Sequence, residues 1–252
     1  ELIELRKDVL KDATGPNLME LFFGSEGTLG FITEITLNTF PLPTHTENIL
    51  INFNDINLIQ EEILKTNNKN IISAIEFWDS NCQKLFNKEK DYNYEVLIEL
   101  AADSEAEIVK CLKDIAGLNA EVSLLSPFQT NELWSKREEI PVKLADLNAY
   151  KLDICVPIKN LKSYLDEIYK IDLDKEVYCF GHLGDGNVHV NIVSDTNLEE
   201  LKSKIYELTI SLNGSPSAEH GIGQRKKHIW ADFSHYSDKL KLLESLKKSM
   251  DP

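Results

Sequence analysis

The sequence predicts an α+β protein in which an antiparallel sheet carries helices mainly on one face. Short segments with period-two alternation and many β-branched residues alternate along the chain with segments of helical periodicity. Several helical segments begin with Asp, Ser or Asn at the capping position, and the connections between elements are short. Such a mixture is typical of one sheet covered by helices.

The elements follow one another in a regular order. A glycine-rich turn and a strand are predicted within residues 22–40, and the two prolines of PLPTHTE, residues 41–47, predict a domain boundary because proline cannot join a central strand. Further strands are predicted at 48–54, 71–78, 94–102, 120–125, 150–157, 176–183 and 187–193. Helices are predicted at 54–68, 79–88, 103–118, 130–140, 159–171, 196–212 and 237–250.

Composition narrows the classes of function. The formal net charge of −15 repels nucleic acid and anionic lipid, so neither is an expected partner. The four cysteines are widely spaced without a C-x-x-C pair, which indicates reduced thiols and predicts a cytoplasmic protein. This prediction leaves open peripheral membrane association and the mitochondrial matrix. No apolar run approaches the roughly 20 residues that span a bilayer. The chain begins without Met and stops after a charged helix, so we expect it to be part of a longer protein.

Residues 178–192, YCFGHLGDGNVHVNI, hold the first candidate site. The Gly-Asp-Gly sequence predicts a tight turn between two strands, with His182 before it and His189 after it. Because alternate residues of a strand share a face, Asn187, His189 and Asn191 are predicted to point the same way. Two imidazoles that converge across a hairpin suit a divalent metal. A hydrogen-bonded histidine pair on a sheet face is the alternative reading.

The sequence SAEHGIGQRKK, residues 217–227, offers a third ligand. Glu219 and His220 precede a Gly-x-Gly turn and lie outside any helical pattern. Two histidines and one carboxylate leave coordination positions open, as in catalytic metal sites. His220 could then act as a base near neutral pH. A helix-capping Glu-His pair remains the alternative.

Two cations and one turn complete the candidate residues. Arg137, on the helix that carries Trp134, presents a planar fork that matches a carboxylate, whereas Lys151 on a strand is as readily explained by solvation. The sequence GSEGTLG has glycines, hydroxyls and backbone N–H groups that could approach a phosphate or sugar. It is not a dinucleotide-binding pattern, because it precedes a strand.

Taken together, these motifs resemble one family. GSEGTLGFITEITL resembles the end of the FAD-binding domain of vanillyl-alcohol oxidase/PCMH-type flavoproteins, whereas GHLGDGNVHVNI and AEHGIGQRKK resemble the C-terminal domain of FAD-linked oxidases. That group includes D-lactate, D-2-hydroxyglutarate and glycolate dehydrogenases. The resemblance implies that residues 1–43 are the end of the FAD-binding domain. Residues 44–252 are then a substrate domain with a ferredoxin-like antiparallel sheet.

The resemblance also implies roles for individual residues. It implies a divalent metal, Zn, Fe or Mn, on His182, His189 and Glu219, with His220 as the catalytic base. It places the substrate on Arg137, Lys151 and Asn191. It places FAD at Gly24, Ser25, Glu26, Gly27, Thr28, Gly30 and Asn187. Two features depart from the family pattern: Pro141 stands where hydroxyglutarate-type members often have a small hydroxylated residue, and Pro16-Asn17 replaces an aromatic-acidic pair.

The implied function is oxidation of a D-2-hydroxy acid to the 2-oxo acid with hydride transfer to FAD. The implied partners are a small 2-hydroxy acid and an electron acceptor of unspecified kind, and a homodimer is compatible with them. We expect this chain to have little activity without the remainder of the flavin domain. The alternatives are a non-catalytic metal- or ligand-binding module and a flavin-free, metal-dependent hydrolase.

Overall fold

The computed structural model of the protein describes residues 2–5, 9, 11–57, 70–87, 92–117, 120–171, 176–194, 198–233 and 236–251. The chain divides into two compact units. Residues Pro41–Glu219 form the sheet unit, and residues Glu1–Phe40 with His220–Pro252 form the terminal unit. The first division falls in the proline-containing connector. Most of the predicted helix at 54–68 lies outside the described residues.

The sheet unit contains seven strands in the order β4-β1-β3-β2-β6-β7-β5, and all their pairings are antiparallel. The strands are β1 His45–Phe53, β2 Ile72–Asp79, β3 Tyr94–Ala102, β4 Glu121–Leu124, β5 Tyr150–Cys155, β6 Glu176–His182 and β7 Asn187–Val193. The predicted α+β class and antiparallel sheet are confirmed.

Five of the described helices lie in the sheet unit and two in the terminal unit. They are α1 Ser80–Lys84, α2 Glu105–Ala116, α3 Pro127–Asp146, α4 Leu161–Ile171, α5 Leu198–Ser211, α6 His228–Asp232 and α7 Ser237–Met250. Short 3₁₀ turns occupy Leu18–Leu21 and Ile158–Asn160. In the part of the chain that is described, no helix is both long and apolar enough to cross a bilayer.

The sheet unit is built from two similar halves. Strands β1 to β4 lie in the order 4-1-3-2 with α2 before the last strand, which is the ferredoxin-like arrangement. The second half repeats this order with β5, α4, β6, β7 and α5, and a backbone bridge between Ser215 and Cys155 stands in for its fourth strand. The halves join where β2 pairs with β6.

Helices cover both faces of the sheet. On one face, Tyr169 of α4 donates a hydrogen bond to the buried Asp79 at the end of β2. On the other face, Ile140 and Leu144 of α3 pack in one core cluster with Trp78 and Phe180. Side chains of a strand alternate between faces, so Glu76 of β2 lies on the α3 face together with Trp78. That face carries the candidate site.

The strand predicted within residues 22–40 is wrong. In the terminal unit, residues 31–40 form no strand, and the described residues of that unit contain no other strand with which they could pair. A strand is stable only when a neighbouring ladder satisfies its N–H and C=O groups. Phe31 and Phe40 are accordingly exposed, although the alternating pattern of the sequence suits a buried sheet.

Candidate metal and substrate site

The β6–β7 hairpin brings His182 and His189 together. Their rings lie edge to face with centroids 5.4 Å apart. The turn of this hairpin packs closely against the segment after β5, because a Cβ at Gly186 would stand 2.1 Å from the carbonyl oxygen of Val156, and Gly186 has a φ of +81°. Only glycine fits such a position without displacing the backbone. The Gly-Asp-Gly motif therefore fixes the turn from which His182 and His189 extend.

Glu219 reaches the same place from the segment after α5. Its backbone N–H donates to the Asp153 carboxylate of β5 over 2.8 Å, and the N–H of Ala218 donates to the Asp153 carbonyl. Glu219 Oε1 lies 3.6 Å from His182 Nε2. One ligand atom from each of Glu219, His182 and His189 lies within 4.8 Å of the other two, which is the spacing of groups that share a metal ion.

Sequence reasoning missed Glu76, which lies at the centre of this arrangement. Glu76 pairs with His182 across β2 and β6. One carboxylate oxygen is 2.6 Å from His182 Nδ1, and the other accepts a hydrogen bond of 2.8 Å from Arg137 Nε. The available signal was a charged residue in the apolar segment IISAIEFW, where a surface position was the simpler reading.

The hydrogen bond to Glu76 raises the pKa of His182 above its ordinary value, whereas burial opposes this shift. The hydrogen bond is the larger of the two causes. His189 has a similar neighbour, because its Nδ1 lies 3.5 Å from a carboxylate oxygen of Asp153. Each imidazole of the pair therefore has an acidic group beside one ring nitrogen, as is common for histidines that bind metals.

Arg137 lies on α3 and is mostly buried, with 11% of its side chain exposed. Its guanidinium carbon stands 4.7 Å above the centroid of the Phe180 ring. Among the described residues, the hydrogen bond that the structure gives its side chain is the one from Nε to Glu76. The two terminal nitrogens therefore keep N–H groups that can meet a carboxylate.

Lys151 and Asn191 are register partners on β5 and β7, on the same face as His189. Lys151 is exposed, and its ammonium donates to the carbonyl of Pro141 over 2.9 Å. Asn191 is buried, and its amide nitrogen donates to the His189 carbonyl. The polar face predicted for β7 is therefore not a solvated surface, since two of its three side chains are buried.

Asn187, the first residue of β7, is 2% exposed. Neither polar atom of its side chain has a hydrogen-bond partner within the described part of the chain. Burying an unpaired amide costs about 1–3 kcal/mol, so a ligand that bonds it would recover this loss. Asn187 is thus a candidate for a hydrogen bond to a ligand group.

The remaining predicted residues belong to the terminal unit. The turn that contains Gly24, Ser25, Gly27, Thr28 and Gly30 is closed by a hydrogen bond from the Thr28 hydroxyl to the Ser25 carbonyl. Both oxygens of Glu26 accept backbone N–H groups, those of Ile222 and Gly223 at 2.8 and 2.7 Å. The carboxylate of Glu26 is therefore engaged within the protein, and a cofactor role would fall to its backbone. His220 is the first residue of the segment that Glu26 holds.

A separate cavity of about 290 Å³ opens beside Asp79, Tyr94, Lys162 and Tyr169. None of the predicted site residues lines it. It also borders Asn54–Ile56, directly before a stretch that is outside the described residues. The cavity is therefore distinct from the cluster of histidines and carboxylates.

The chain belongs to the family of FAD-linked oxidases, because residues 42–252 match the model of the C-terminal domain of that family. Similar proteins carry more specific names. The chain is 30% identical over 280 residues to a D-2-hydroxyglutarate dehydrogenase of Stutzerimonas stutzeri (strain A1501), and the match covers 100% of this chain and 60% of the relative. It is 33% identical to a probable mitochondrial D-2-hydroxyglutarate dehydrogenase of Oryza sativa subsp. indica, covering 100% of this chain and 49% of the relative. The chain thus spans about half the length of the relatives it matches.

Solved structures confirm the fold. An alkyldihydroxyacetonephosphate synthase superposes with a TM-score of 0.65 at 16% identity, covering 96% of this chain and 49% of the other. The 4-ethylphenol oxidase from Gulosibacter chungangensis gives a TM-score of 0.65 at 12% identity, covering 95% and 57%. At these identities the likeness concerns the architecture alone.

Proposed function

We propose that this chain is the substrate-binding part of a flavin-dependent dehydrogenase that oxidises a D-2-hydroxy acid to the corresponding 2-oxo acid. The observation that carries the proposal is the group of two histidines and one carboxylate, linked through Glu76 to a buried arginine. The names of the relatives support the same substrate class. In this proposal, residues 1–43 belong to the FAD-binding domain and residues 44–252 to the substrate domain.

The donor set fits a divalent metal. Two imidazoles and one carboxylate suit Zn, Fe or Mn and leave coordination positions open for a ligand. His182, His189 and Glu219 would hold the ion, and Glu76 and Asp153 would orient the two imidazoles. A bound ion supplies Lewis acidity, which lowers the pKa of a hydroxyl group that it coordinates.

Arg137 would bind the carboxylate of the substrate. Its terminal nitrogens can form two parallel hydrogen bonds to a carboxylate, and its burial strengthens such bonds by excluding water. Lys151 and Asn191 would complete the substrate contacts from β5 and β7. The positive charges of Arg137 and Lys151 also give an acidic protein a local binding site for an anionic substrate.

The candidate contacts of FAD, each taken by itself, are the Gly24–Gly30 turn and the amide of Asn187. Gly24 and Gly27 both have positive φ and no atom within 4 Å of an added Cβ, so the backbone there can be approached closely. The buried, unpaired amide of Asn187 offers a donor and an acceptor. Bound FAD supplies the acceptor of the hydride.

His220 would take the proton of the substrate hydroxyl at an imidazole nitrogen. It directly follows the proposed ligand Glu219 in the chain. An imidazole is suited to this step because its ordinary pKa is near neutrality. Glu26 would support His220 by fixing the following turn through two backbone hydrogen bonds.

Pro141 affects the choice among D-2-hydroxy acids. It lies inside α3, one turn after Arg137, and it has no hydroxyl and no N–H to offer. A substrate with a second carboxylate therefore finds one donor fewer here than a hydroxylated residue would provide. D-lactate, glycolate and D-2-hydroxyglutarate are the substrates to compare.

The test is anaerobic mixing of full-length, FAD-loaded protein with D- and L-2-hydroxy acids, with flavin absorbance as the signal. We expect a D-2-hydroxy acid to bleach the flavin of the unsubstituted protein. His220→Ala should keep the bound flavin and slow its reduction about 100-fold or more. His228→Ala, an exposed histidine of the same unit, is the matched control and should reduce at the unsubstituted rate.

Failure of every D-2-hydroxy acid to reduce the flavin would contradict the dehydrogenase and favour the binding module or the hydrolase. Normal reduction in His220→Ala would remove His220 from the chemistry and leave the substrate class intact.

A further inference from the structure

We infer that Glu76 is a positioning residue that holds a metal ligand and the substrate arginine in a fixed relation to each other. The inference rests on the proposed metal centre and deepens it. Its basis is that one buried carboxylate bonds both groups, one through each oxygen. Loosening the bond to His182 or the bond to Arg137 would therefore disturb both metal binding and substrate binding, which the sequence presents as separate functions.

Backbone pairing explains why Glu76 can do this. Glu76 and His182 are direct cross-strand partners on the same sheet face, at the junction of the two halves of the sheet unit. Cβ atoms of such partners stand about 5 Å apart, so the two side chains meet without strain. Arg137 then reaches the second oxygen from α3, which lies over this face.

The contact with Glu76 fixes which nitrogen of His182 is available. An ionised carboxylate only accepts hydrogen bonds, so in the 2.6 Å contact with Glu76 the Nδ1 of His182 carries the proton. The lone pair of a neutral imidazole then lies on Nε2, the nitrogen that stands 3.6 Å from Glu219 Oε1. The hydrogen bond to Glu76 thus favours the tautomer of His182 in which Nε2 can bind a metal ion.

The same carboxylate orients Arg137. Its bond to Nε leaves the two terminal nitrogens on the far side of the fork, which is the geometry needed for a bidentate contact with a substrate carboxylate. The negative charge also compensates a guanidinium that is almost fully buried. Neither role requires Glu76 to touch a metal ion or a substrate.

The chain contains a matched control. Glu95, on the neighbouring strand β3 and the same sheet face, is equally buried and bonds Lys136, the residue before Arg137 on α3. It also accepts a hydrogen bond from Trp78. Glu76→Gln and Glu95→Gln therefore remove one buried negative charge each from the same layer. The first contacts the proposed ligand His182, whereas the second bonds Lys136 and Trp78.

Glu76→Gln is informative because glutamine has the same shape with one oxygen and one NH₂ group. It cannot accept from both His182 Nδ1 and Arg137 Nε, since its NH₂ would face one of the two donors. The experiment is titration calorimetry of metal-free protein with Zn²⁺ alone. We expect Zn²⁺ to bind Glu76→Gln about 10- to 100-fold more weakly than the unsubstituted protein. The Kd of Glu95→Gln should stay within about 2-fold.

A second readout addresses Arg137. In full-length, FAD-loaded protein, Glu76→Gln should raise KM for the D-2-hydroxy acid as well as weaken Zn²⁺ binding, whereas Glu95→Gln should change neither. If Glu76→Gln does not fold, Glu76→Asp keeps the charge and shortens the reach, and it should still bind Zn²⁺ several-fold more weakly.

The outcomes separate the two proposals. An equal Kd for Zn²⁺ in a folded Glu76 variant and in the unsubstituted protein would overturn the positioning role and leave the metal centre standing. A parallel loss in Glu95→Gln would also overturn it, because the effect would then follow from removing any charge in the layer. No Zn²⁺ binding by the unsubstituted protein would overturn the metal centre and the positioning role together.

Discussion

The carboxylate of Glu76 bonds two residues of the candidate site, His182 through one oxygen and Arg137 through the other. His182, His189 and Glu219 stand in glycine-flanked motifs, and their residue types suggested a metal site before any geometry was known. Glu76 stands in an apolar strand without a motif, and its partners are 61 and 106 positions away along the chain. Only strand register and helix placement bring those partners to it.

The cysteines give a prediction at the scale of single side chains. Burial is the main cause that raises the pKa of Cys155 above its ordinary value, and nearby carboxylates add to it. A raised pKa means less thiolate at a given pH, so iodoacetamide should label Cys155 more slowly than it labels glutathione at pH 8. The midpoint of the rate against pH should lie on the alkaline side of about 8.5.

Mass spectrometry of the labelled protein would assign the site. Cys82, Cys111 and Cys179 are fully buried and should be labelled only after unfolding, which provides the internal control. A labelling rate for Cys155 equal to that of glutathione would contradict its assigned environment.

Helices and strands were the most predictable part of the molecule where periodicity and caps agreed. Strands β2, β3, β6 and β7 lie at the predicted places, because alternation over seven or more residues is a strong signal. Helix α3 begins earlier and ends later than predicted and continues through Pro141. Packing of Ile140 and Leu144 in the core outweighs the hydrogen bond that Pro141 cannot donate.

The start of α1 provides a prediction about stability. Asp79 caps α1 by accepting the N–H of Cys82, and it also accepts the N–H of Cys179 and the hydroxyl of Tyr169. Asp79→Ala would leave two buried backbone N–H groups and the partly buried Tyr169 hydroxyl without this acceptor. It should lower the free energy of unfolding by about 3 kcal/mol.

Ser104 is the matched comparison, because it occupies the capping position of α2 without a side-chain capping hydrogen bond. Ser104→Ala should change the free energy of unfolding by about 0.5 kcal/mol or less. Urea denaturation followed by circular dichroism measures both variants. Equal losses would contradict the stabilising role assigned to the three hydrogen bonds of Asp79.

The way in which the two halves of the sheet unit join explains where the candidate site lies. Its two ferredoxin-like halves pair through β2 and β6, and Glu76 with His182 is one of the residue pairs at that junction. Side chains of the candidate site therefore come from both halves: Glu76 and Arg137 from the first half and the segment after it, and the histidines and Glu219 from the second. A site formed in this way depends on the complete unit.

Metal binding should consequently stabilise the whole sheet unit. A ligand at 100 times its Kd stabilises the folded state by about 2.7 kcal/mol when it does not bind the unfolded chain. Zn²⁺ should therefore raise the Tm by about 5–10 °C, and EDTA should reverse the shift. His189→Ala should abolish the shift, whereas His45→Ala, at the exposed start of β1, should retain it. An equal Tm with and without Zn²⁺ would contradict the proposed centre.

The amino-acid sequence was sufficient for the class of fold, for most element positions and for proposing which residue types form the candidate site. These features depend on local periodicity, on turn chemistry and on side chains whose chemistry is recognisable in isolation. The sequence also predicted a strand within residues 22–40 that the structure lacks, since alternation cannot reveal whether a pairing partner is present.

Long-range geometry settled the rest. The order of the seven strands, the pairing of β2 with β6 and the burial of Asn187 and Asn191 depend on residues far apart in the chain. The role of the Glu76 carboxylate also depends on long-range geometry, because it follows from its contacts with His182 and Arg137. Its neighbours are brought close by packing of the sheet and of α3, and a linear sequence does not record such contacts.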